Sequence, residues 1–287
     1  MENKDVILGF NKILNIDNGE FDHRLLGGMS NYTFVMKVNN DYYTYRIPGD
    51  FAEVFVDRDI EVKNIKIMES LGISNETLLL DTKTGEKVAK YIPGSSMHTL
   101  SEFPLKKVSD LLKKIHNSGI HAENDYDPFG RLNKYEKEII NLGFVHKEDY
   151  LKTKQRFMAY KDFLDSQPKV LIHGDSQPSN FIVNNDNLSI VDFEFTGNND
   201  LVYDIACFAN MKLEHGLELL YTYFDEVDTV LLKRFYLWRT FQALQWFNVA
   251  VFKDLKGMSE KLKIDFNMVS NKYLQLATSL IEKVENI

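Results

Sequence analysis

The chain has 287 residues, with 34 Lys+Arg against 42 Asp+Glu and a formal net charge of −8. Its 44% hydrophobic and 26% charged residues are the balance of a globular protein, and its length, near twice the usual domain of roughly 100–150 residues, predicts two lobes. The negative balance argues against a nucleic-acid binder, which needs a basic stripe to neutralise phosphates, and the single cysteine, Cys207, excludes an intramolecular disulfide or a cysteine-based zinc cluster.

Val6, Ile7, Phe10, Ile13 and Leu14 fall at helical spacing, predicting a short amphipathic helix over 4–16. The period then changes. Three runs rich in aromatic and β-branched residues, 21–26, 32–38 and 42–47, are separated by Gly27-Gly28 and Asn39-Asn40-Asp41, the pattern of an antiparallel meander. A helix is expected over 54–71, closed by Gly72, followed by strands at 78–80 and 87–92. Pro93-Gly94-Ser95-Ser96 reads as a linker. Beyond it the pattern is mainly helical, over 105–117, 134–142, 151–164, 202–211, 228–253 and 266–284. The exception is 169–195, where very short strands, 181–183 and 188–191 among them, surround a polar loop. The expectation is an α+β protein: a small lobe with a five-stranded antiparallel sheet and one main helix over 1–92, and a larger, mainly helical lobe over 93–287. No run approaches the ~18 apolar residues of a membrane helix. The start, Met1-Glu-Asn-Lys-Asp-Val, lacks the order of a secretory signal, so a cytoplasmic protein without membrane or nucleic-acid partners is expected.

The chemistry concentrates in Leu171-Ile-His-Gly-Asp-Ser-Gln-Pro-Ser-Asn-Phe-Ile-Val183, followed by Ile190-Val-Asp-Phe-Glu-Phe195. An apolar strand delivers His173 and Asp175 into a loop, Asn180 follows five residues later, and a hairpin returns Asp192. An amide oxygen and a carboxylate brought together in this way suit a hard cation such as Mg²⁺, with Asn180 and Asp192 as ligands. Asp175 is left to orient or deprotonate a hydroxyl. Asp, Asn and Asp in this order match the template of phosphoryl transfer in protein kinases. His173 reads as a prop for the loop and His116 as a packed helix residue. A metal-dependent hydrolase built on His173 and Asp175 would need further clustered His or Asp ligands, and the sequence offers none.

His173-Gly-Asp-x4-Asn180 with Asp192-Phe-Glu resembles the catalytic loop of the aminoglycoside phosphotransferase and choline kinase superfamily. That resemblance implies a protein-kinase-like fold, and its closest branch is the choline and ethanolamine kinases, including the bacterial LicA type. Gly27-Gly28-Met29-Ser30-Asn31-Tyr32 resembles the family's nucleotide loop, so Gly28, Ser30 and Asn31 are implied to cradle phosphates. Arg46, in Tyr45-Arg46-Ile47-Pro48-Gly49, takes the place of the strand lysine that contacts the α- and β-phosphates. Glu61, fifteen residues on, is expected to hold it by a carboxylate–guanidinium pair, for which Arg suits better than Lys. Adenine is expected against the backbone around residues 90–92.

On the substrate side the resemblance points to Gln177, and to Trp246 and Phe266 as walls of an aromatic cage for an ammonium group. Glu194 and Asp200 would supply negative field. One departure stands out: the family carries a second tryptophan three residues after the first, and this chain has Val249. For each of Phe235, Trp238 and Phe241 alone, the plain reading is a core stripe. The implied activity is transfer of the γ-phosphoryl group of ATP, with Mg²⁺, to a small cationic alcohol such as choline or ethanolamine. The alternatives are an aminoglycoside or thiamine phosphotransferase and a catalytically silent nucleotide-binding module.

Overall fold

Val6 and Phe10, one turn apart, are fully buried and define the inward stripe of the first helix, α1 (Asn3–Leu14). In the computed structural model, which describes residues 2–25 and 31–287, they pack with Phe34, Met36, Tyr45 and Val88 in one core cluster. The strands beneath them are β1 (Glu20–Leu25), β2 (Asn31–Val38) and β3 (Asp41–Pro48). β2 and β3 join through a tight turn, with Val38 facing Asp41 and Asn39 at φ 57°, a left-handed conformation that Asn tolerates.

The helix expected over 54–71 divides in two. α2 (Ala52–Phe55) stops where Val56 turns extended, and Asp57 then caps α3 (Arg58–Ser70), accepting the amides of Asp59 and Ile60 at 3.1 Å each. β4 (Thr77–Leu80) and β5 (Lys87–Lys90) complete a five-stranded antiparallel sheet of order β1-β2-β3-β5-β4.

Residues 93–96 are not a linker. Ser95 and Ser96 form β6 (Ser95–Ser96), followed by α4 (Leu105–His116), whose Val108, Leu111, Leu112 and Ile115 are buried at helical spacing. Three helices come next, α5 (Pro128–Asn141), α6 (Glu148–Met158) and α7 (Lys161–Asp165), where the sequence pattern shows two. Then come β7 (Val170–Ile172), β8 (Phe181–Asn184), β9 (Asn187–Ile190) and β10 (Gly197–Asn199). The chain ends in α8 (Val202–Phe208), α9 (Leu213–Tyr223), α10 (Thr229–Leu255), α11 (Met258–Leu262) and α12 (Phe266–Glu285).

Two compact units emerge, and they differ from a single cut after Ile92. The first comprises Met1–Ser118 and Pro178–Thr196, the second Gly119–Gln177 and Gly197–Ile287. Backbone pairing explains the difference. Ser95 and Ser96 pair with Val183 and Ile182, β8 pairs with β9, and the Ile190 amide donates to Ile73 O at 3.0 Å, so the β8–β9 hairpin belongs with the N-terminal residues.

In the second unit α10 runs 27 residues and packs on α12, α8 and α5. Its Phe235, Trp238 and Phe241 are buried, as a core stripe should be. β7 and β10 pair in register from Ile172 and Gly197. A Cβ on Gly197 would lie 2.9 Å from the Tyr126 amide nitrogen, so only glycine allows this close approach. Among the described residues, no helix is long and apolar enough to cross a membrane.

Candidate active site

In the first unit β3 and α3 bring Arg46 and Glu61 together. Arg46 Nη1 and Nη2 donate to the two Glu61 carboxylate oxygens at 2.8 and 3.0 Å, a fork-on-fork pair buried from solvent on both sides. A surface ion pair is thereby excluded. Arg46 Nη1 also donates to Asp192 Oδ1 at 3.3 Å and stands 3.6 Å from Glu194 Oε2. Two further cations join them, neither singled out by the sequence pattern. Arg58 donates to Glu61 and, at 3.1 Å, to Glu194, while Lys87 Nζ lies 3.6 Å from Glu61 Oε1.

Three cations thus interleave with three carboxylates, of which Glu61 and Glu194 are buried and Asp192 is partly open to solvent. For Glu61 burial alone would favour the neutral acid, but Arg46, Lys87 and Arg58 override it and hold its pKa at about 2. Glu194 goes the other way: burial and then the neighbouring Asp192 carboxylate outweigh Arg46, and its pKa rises to about 7. Burial and the Arg46 charge push the Lys87 pKa down. Asp192 takes φ 74°, a left-handed conformation that Asp tolerates better than most residues and one typical of functional sites. The Val191 amide donates to Asn180 O at 2.9 Å, which joins the backbones of the two expected metal ligands next to Asp192.

Oxygens of Glu61, Asp192 and Glu194 lie within 4.8 Å of one another. These three carboxylates offer the oxygen donors that a hard divalent cation requires, so the chemistry of the cluster fits Mg²⁺. Among the described residues, two buried guanidinium nitrogens, Arg46 Nε and Arg58 Nη2, find no acceptor, and phosphate oxygens are natural partners for a guanidinium. Gly28 and Ser30 lie outside the described residues. Asn31 opens β2 opposite Pro48, with a buried side-chain oxygen that accepts no hydrogen bond from the described residues. At the expected adenine position the Lys90 amide donates to Glu76 O at 2.8 Å and the Tyr91 amide to Tyr42 O at 3.0 Å, so neither is a donor to a base.

In the second unit the loop after β7 is held from behind. Asp204, fully buried at the start of α8, accepts the His173 and Gly174 amides at 2.8 and 2.9 Å on its two carboxylate oxygens, while its backbone carbonyl accepts the Ser176 hydroxyl at 2.6 Å. Gly174 takes φ 81°, open to glycine at no steric cost. His173, fully buried, accepts the Asp175 amide on Nδ1 at 3.1 Å, the propping role its position implies. His116 is buried in α4. Asp175 is half-buried, and Gln177 Nε2 donates to its Oδ2 at 3.1 Å. In the sequence Asp204 stands out only within Asp200-Leu-Val-Tyr-Asp204-Ile-Ala, which resembles the family segment that follows the metal-binding Asp; nothing there ties it to a loop thirty residues earlier.

The expected substrate residues are placed differently from one another. Asp200 is saturated: Arg234 forks onto it, Trp238 Nε1 donates to it at 2.7 Å and the Val202 amide at 2.9 Å. Its charge is neutralised by Arg234 and is not a field for a substrate cation, which corrects that expectation. Glu194 likewise spends its charge on Arg58 and Arg46. Phe266 is buried with a cation already over its ring, the Lys253 ammonium at 5.6 Å, so it is no open cage wall. Trp246 is half-buried on α10. Gln177 is engaged at both ends of its amide, giving N–H to Asp175 and accepting from Asn210 at 2.7 Å.

Solved structures share this fold. A choline/ethanolamine kinase family protein from Mesorhizobium loti superposes with a TM-score of 0.79 over 98% of this chain and 95% of that one, at 21% identity. Choline kinase LicA from Streptococcus pneumoniae does so with a TM-score of 0.75 over 98% of each chain, also at 21% identity. For aminoglycoside 2'-phosphotransferase-IIIa the TM-score is 0.66, at 14% identity over 97% of this chain and 99% of that one. The fold is therefore kinase-like. The sequence profile of the choline/ethanolamine kinase family matches residues 23–226, and the chain belongs to that family. Protein LicA from Haemophilus influenzae is 26% identical over 278 residues, covering 90% of this chain and 79% of its own. Mouse ethanolamine kinase 1 is 29% identical over 193 residues, covering 60% of this chain and 52% of its own.

Proposed function

We propose that the chain is an ATP-dependent kinase that transfers the γ-phosphoryl group to the hydroxyl of choline. The observation that carries this reading is the buried Arg46–Glu61 pair reaching the half-buried Asp192 in a chain of the choline/ethanolamine kinase family. The first unit supplies the nucleotide side, with Arg46 and the loop through Gly28, Ser30 and Asn31 on the triphosphate. The second unit, which carries Asp175, supplies the acceptor side. A kinase fed by ATP fits the cytoplasm.

Asn180 and Asp192 would hold Mg²⁺, which when bound neutralises charge on the β- and γ-phosphate oxygens. Glu61 locks Arg46 so that its guanidinium meets the phosphates without first being ordered. Asp175 accepts the substrate's hydroxyl proton. An ordinary aspartate, at a pKa of about 3.9, is a poor base for an alcohol. The proton therefore leaves late, in a loose transition state, and until then Asp175 orients the hydroxyl.

Ethanolamine is the second reading, and two observations favour it. Val249 stands where the family's second tryptophan is expected, and Lys253 already faces Phe266. A weakened cage costs a quaternary ammonium more than a primary one, which can also donate hydrogen bonds. A coupled ADP-release screen against choline, ethanolamine, thiamine and kanamycin tests the reading. Turnover with choline or ethanolamine alone supports it. Preference for kanamycin or thiamine, or ATP binding without ADP release, overturns it.

A further inference from the structure

Arg239, on α10, is a buried cation, 2% exposed, and among the described residues no carboxylate pairs with it. Burial works against its charge. A guanidinium placed in this way needs a reason, because an uncompensated buried ion is costly to keep. Its hydrogen bonds supply one. Nη2 donates to Asn210 Oδ1 at 3.4 Å, Asn210 Nδ2 donates to Gln177 Oε1 at 2.7 Å, and Gln177 Nε2 donates to Asp175 Oδ2 at 3.1 Å.

The direction of this chain is dictated by its ends. A guanidinium only donates and an ionised carboxylate only accepts, so each amide between them has one allowed orientation. All three bonds then point the same way, with positive ends toward Asp175, and bonds so aligned polarise one another. The far end is fixed as well. Arg239 Nη1 donates to Gln242 Oε1 at 3.2 Å, and Gln242 Nε2 donates to Tyr203 O at 3.2 Å and to Cys207 Sγ at 3.0 Å.

We propose that Arg239 and Asn210 are positioning residues for phosphoryl transfer: acting through Gln177, they fix the rotation of the Asp175 carboxylate and set positive charge behind it. Gln177 is on this reading a link in the chain and not a substrate contact. The inference rests on Asp175 being the group that receives the hydroxyl.

Asn210→Asp is the discriminating variant. The new carboxylate pairs with Arg239 and relieves its isolation, so the fold is not weakened. It has no N–H for Gln177, however, whose amide must turn over and present its oxygen to Asp175. We expect kcat to fall about 100-fold, the effect of misplacing a catalytic group by about 1 Å. The KM for ATP and the Tm should hold. Arg239→Lys, which keeps the charge, should retain more kcat than Arg239→Met. Full-length chains are assayed by ADP release with choline or ethanolamine, whichever the wild type turns over faster, and Asp175→Asn is run alongside. Wild-type kcat in Asn210→Asp with Asp175→Asn inactive would overturn the relay alone. A kcat loss tracking a fall in Tm and a rise in both KM values would also overturn it, since lost packing produces that pattern. Activity in Asp175→Asn would instead remove the assignment of Asp175 on which the relay depends.

Discussion

Arg46 and Glu61 meet as two parallel N–H···O bonds, 2.8 and 3.0 Å long, with both side chains closed off from solvent. Glu61 also receives Arg58 and has Lys87 near it, so one carboxylate anchors three cations. Glu61→Gln removes the charge and keeps the shape. Breaking a buried pair from one side costs about 3–5 kcal/mol. Because glutamine still accepts one hydrogen bond, the lower end is expected, a fall in Tm of roughly 5–10 °C. The KM for ATP should rise with it, because Arg46 is then free to adopt other rotamers. An unchanged melt and an unchanged ATP dependence would show that the pair is dispensable.

Asp192 carries two burdens, its charge and its left-handed φ of 74°. Two variants separate them. Asparagine accepts that conformation and lacks the charge, whereas alanine accepts neither role and adds roughly 1–2 kcal/mol of backbone strain. Both Asp192→Asn and Asp192→Ala should lose turnover on the order of 1,000-fold. Only the alanine variant should also melt earlier. ADP release and a thermal melt on the same preparations decide it, and substantial turnover in either variant would contradict the role given to the carboxylate.

Asp204 holds the loop that presents Asp175 by accepting two consecutive backbone amides, one on each oxygen. Asp204→Asn turns one of those oxygens into a donor facing a buried N–H. A buried amide left without an acceptor costs about 1–3 kcal/mol. The loop then shifts, and a drop in kcat on the order of tenfold or more is expected from misplacement of Asp175. Retained kcat at lowered Tm would mean that the loop tolerates losing its anchor.

Much of this was legible in the sequence, and what was not has a common cause. The meander, the five strands and the long helices announce themselves through local periodicity, whereas Arg46 is reached through the resemblance of its strand to the family's, and Glu61 as the acid in the following helix that could hold it. Residues 93–96 read as a linker because Pro, Gly and Ser are turn residues. Their pairing with Val183 is set by tertiary context nearly ninety residues away. The helix break at Val56 did leave a local trace, since Asp57 is a good N-cap. Asp200, Arg58 and Lys87 were misjudged or missed for a different reason. Charge type is written in the sequence, but the partner is not, and the partner decides whether an acid offers field to a ligand or spends it on an arginine such as Arg234.

Lys253 gives a pH test with a defined sign. Burial lowers its pKa from 10.5 to about 8. Between those values the unfolded chain binds more protons than the native one, so this group makes stability rise as pH goes from about 8 to about 10.5. The full effect is on the order of 3 kcal/mol, the stability equivalent of lowering the pKa from 10.5 to about 8. At neutral pH the ammonium is charged in both states and its burial is a standing cost. Lys253→Met should therefore raise Tm at pH 7 and remove that part of the rise between pH 8 and 10. Parallel stability curves for wild type and variant across that range would contradict the lowered value.

Trp246 is the aromatic on which the choice between choline and ethanolamine turns. Seven residues before Lys253 on the same helix, it shares a face with it, and unlike Trp238 it is not sealed in the core. A cation over an indole gains about 1 kcal/mol when partly shielded, which corresponds to roughly a fivefold change in KM. Trp246→Ala should raise the KM for choline by about that factor and leave the KM for ATP within twofold. Pairing it with Lys253→Met asks whether the lysine weakens the cation site. If the two charges compete near the aromatic face, Lys253→Met alone lowers the KM for choline, and the double variant loses that gain. Should Trp246→Ala raise both KM values equally and lower the Tm, the indole is packing and the cation site lies elsewhere in the second unit.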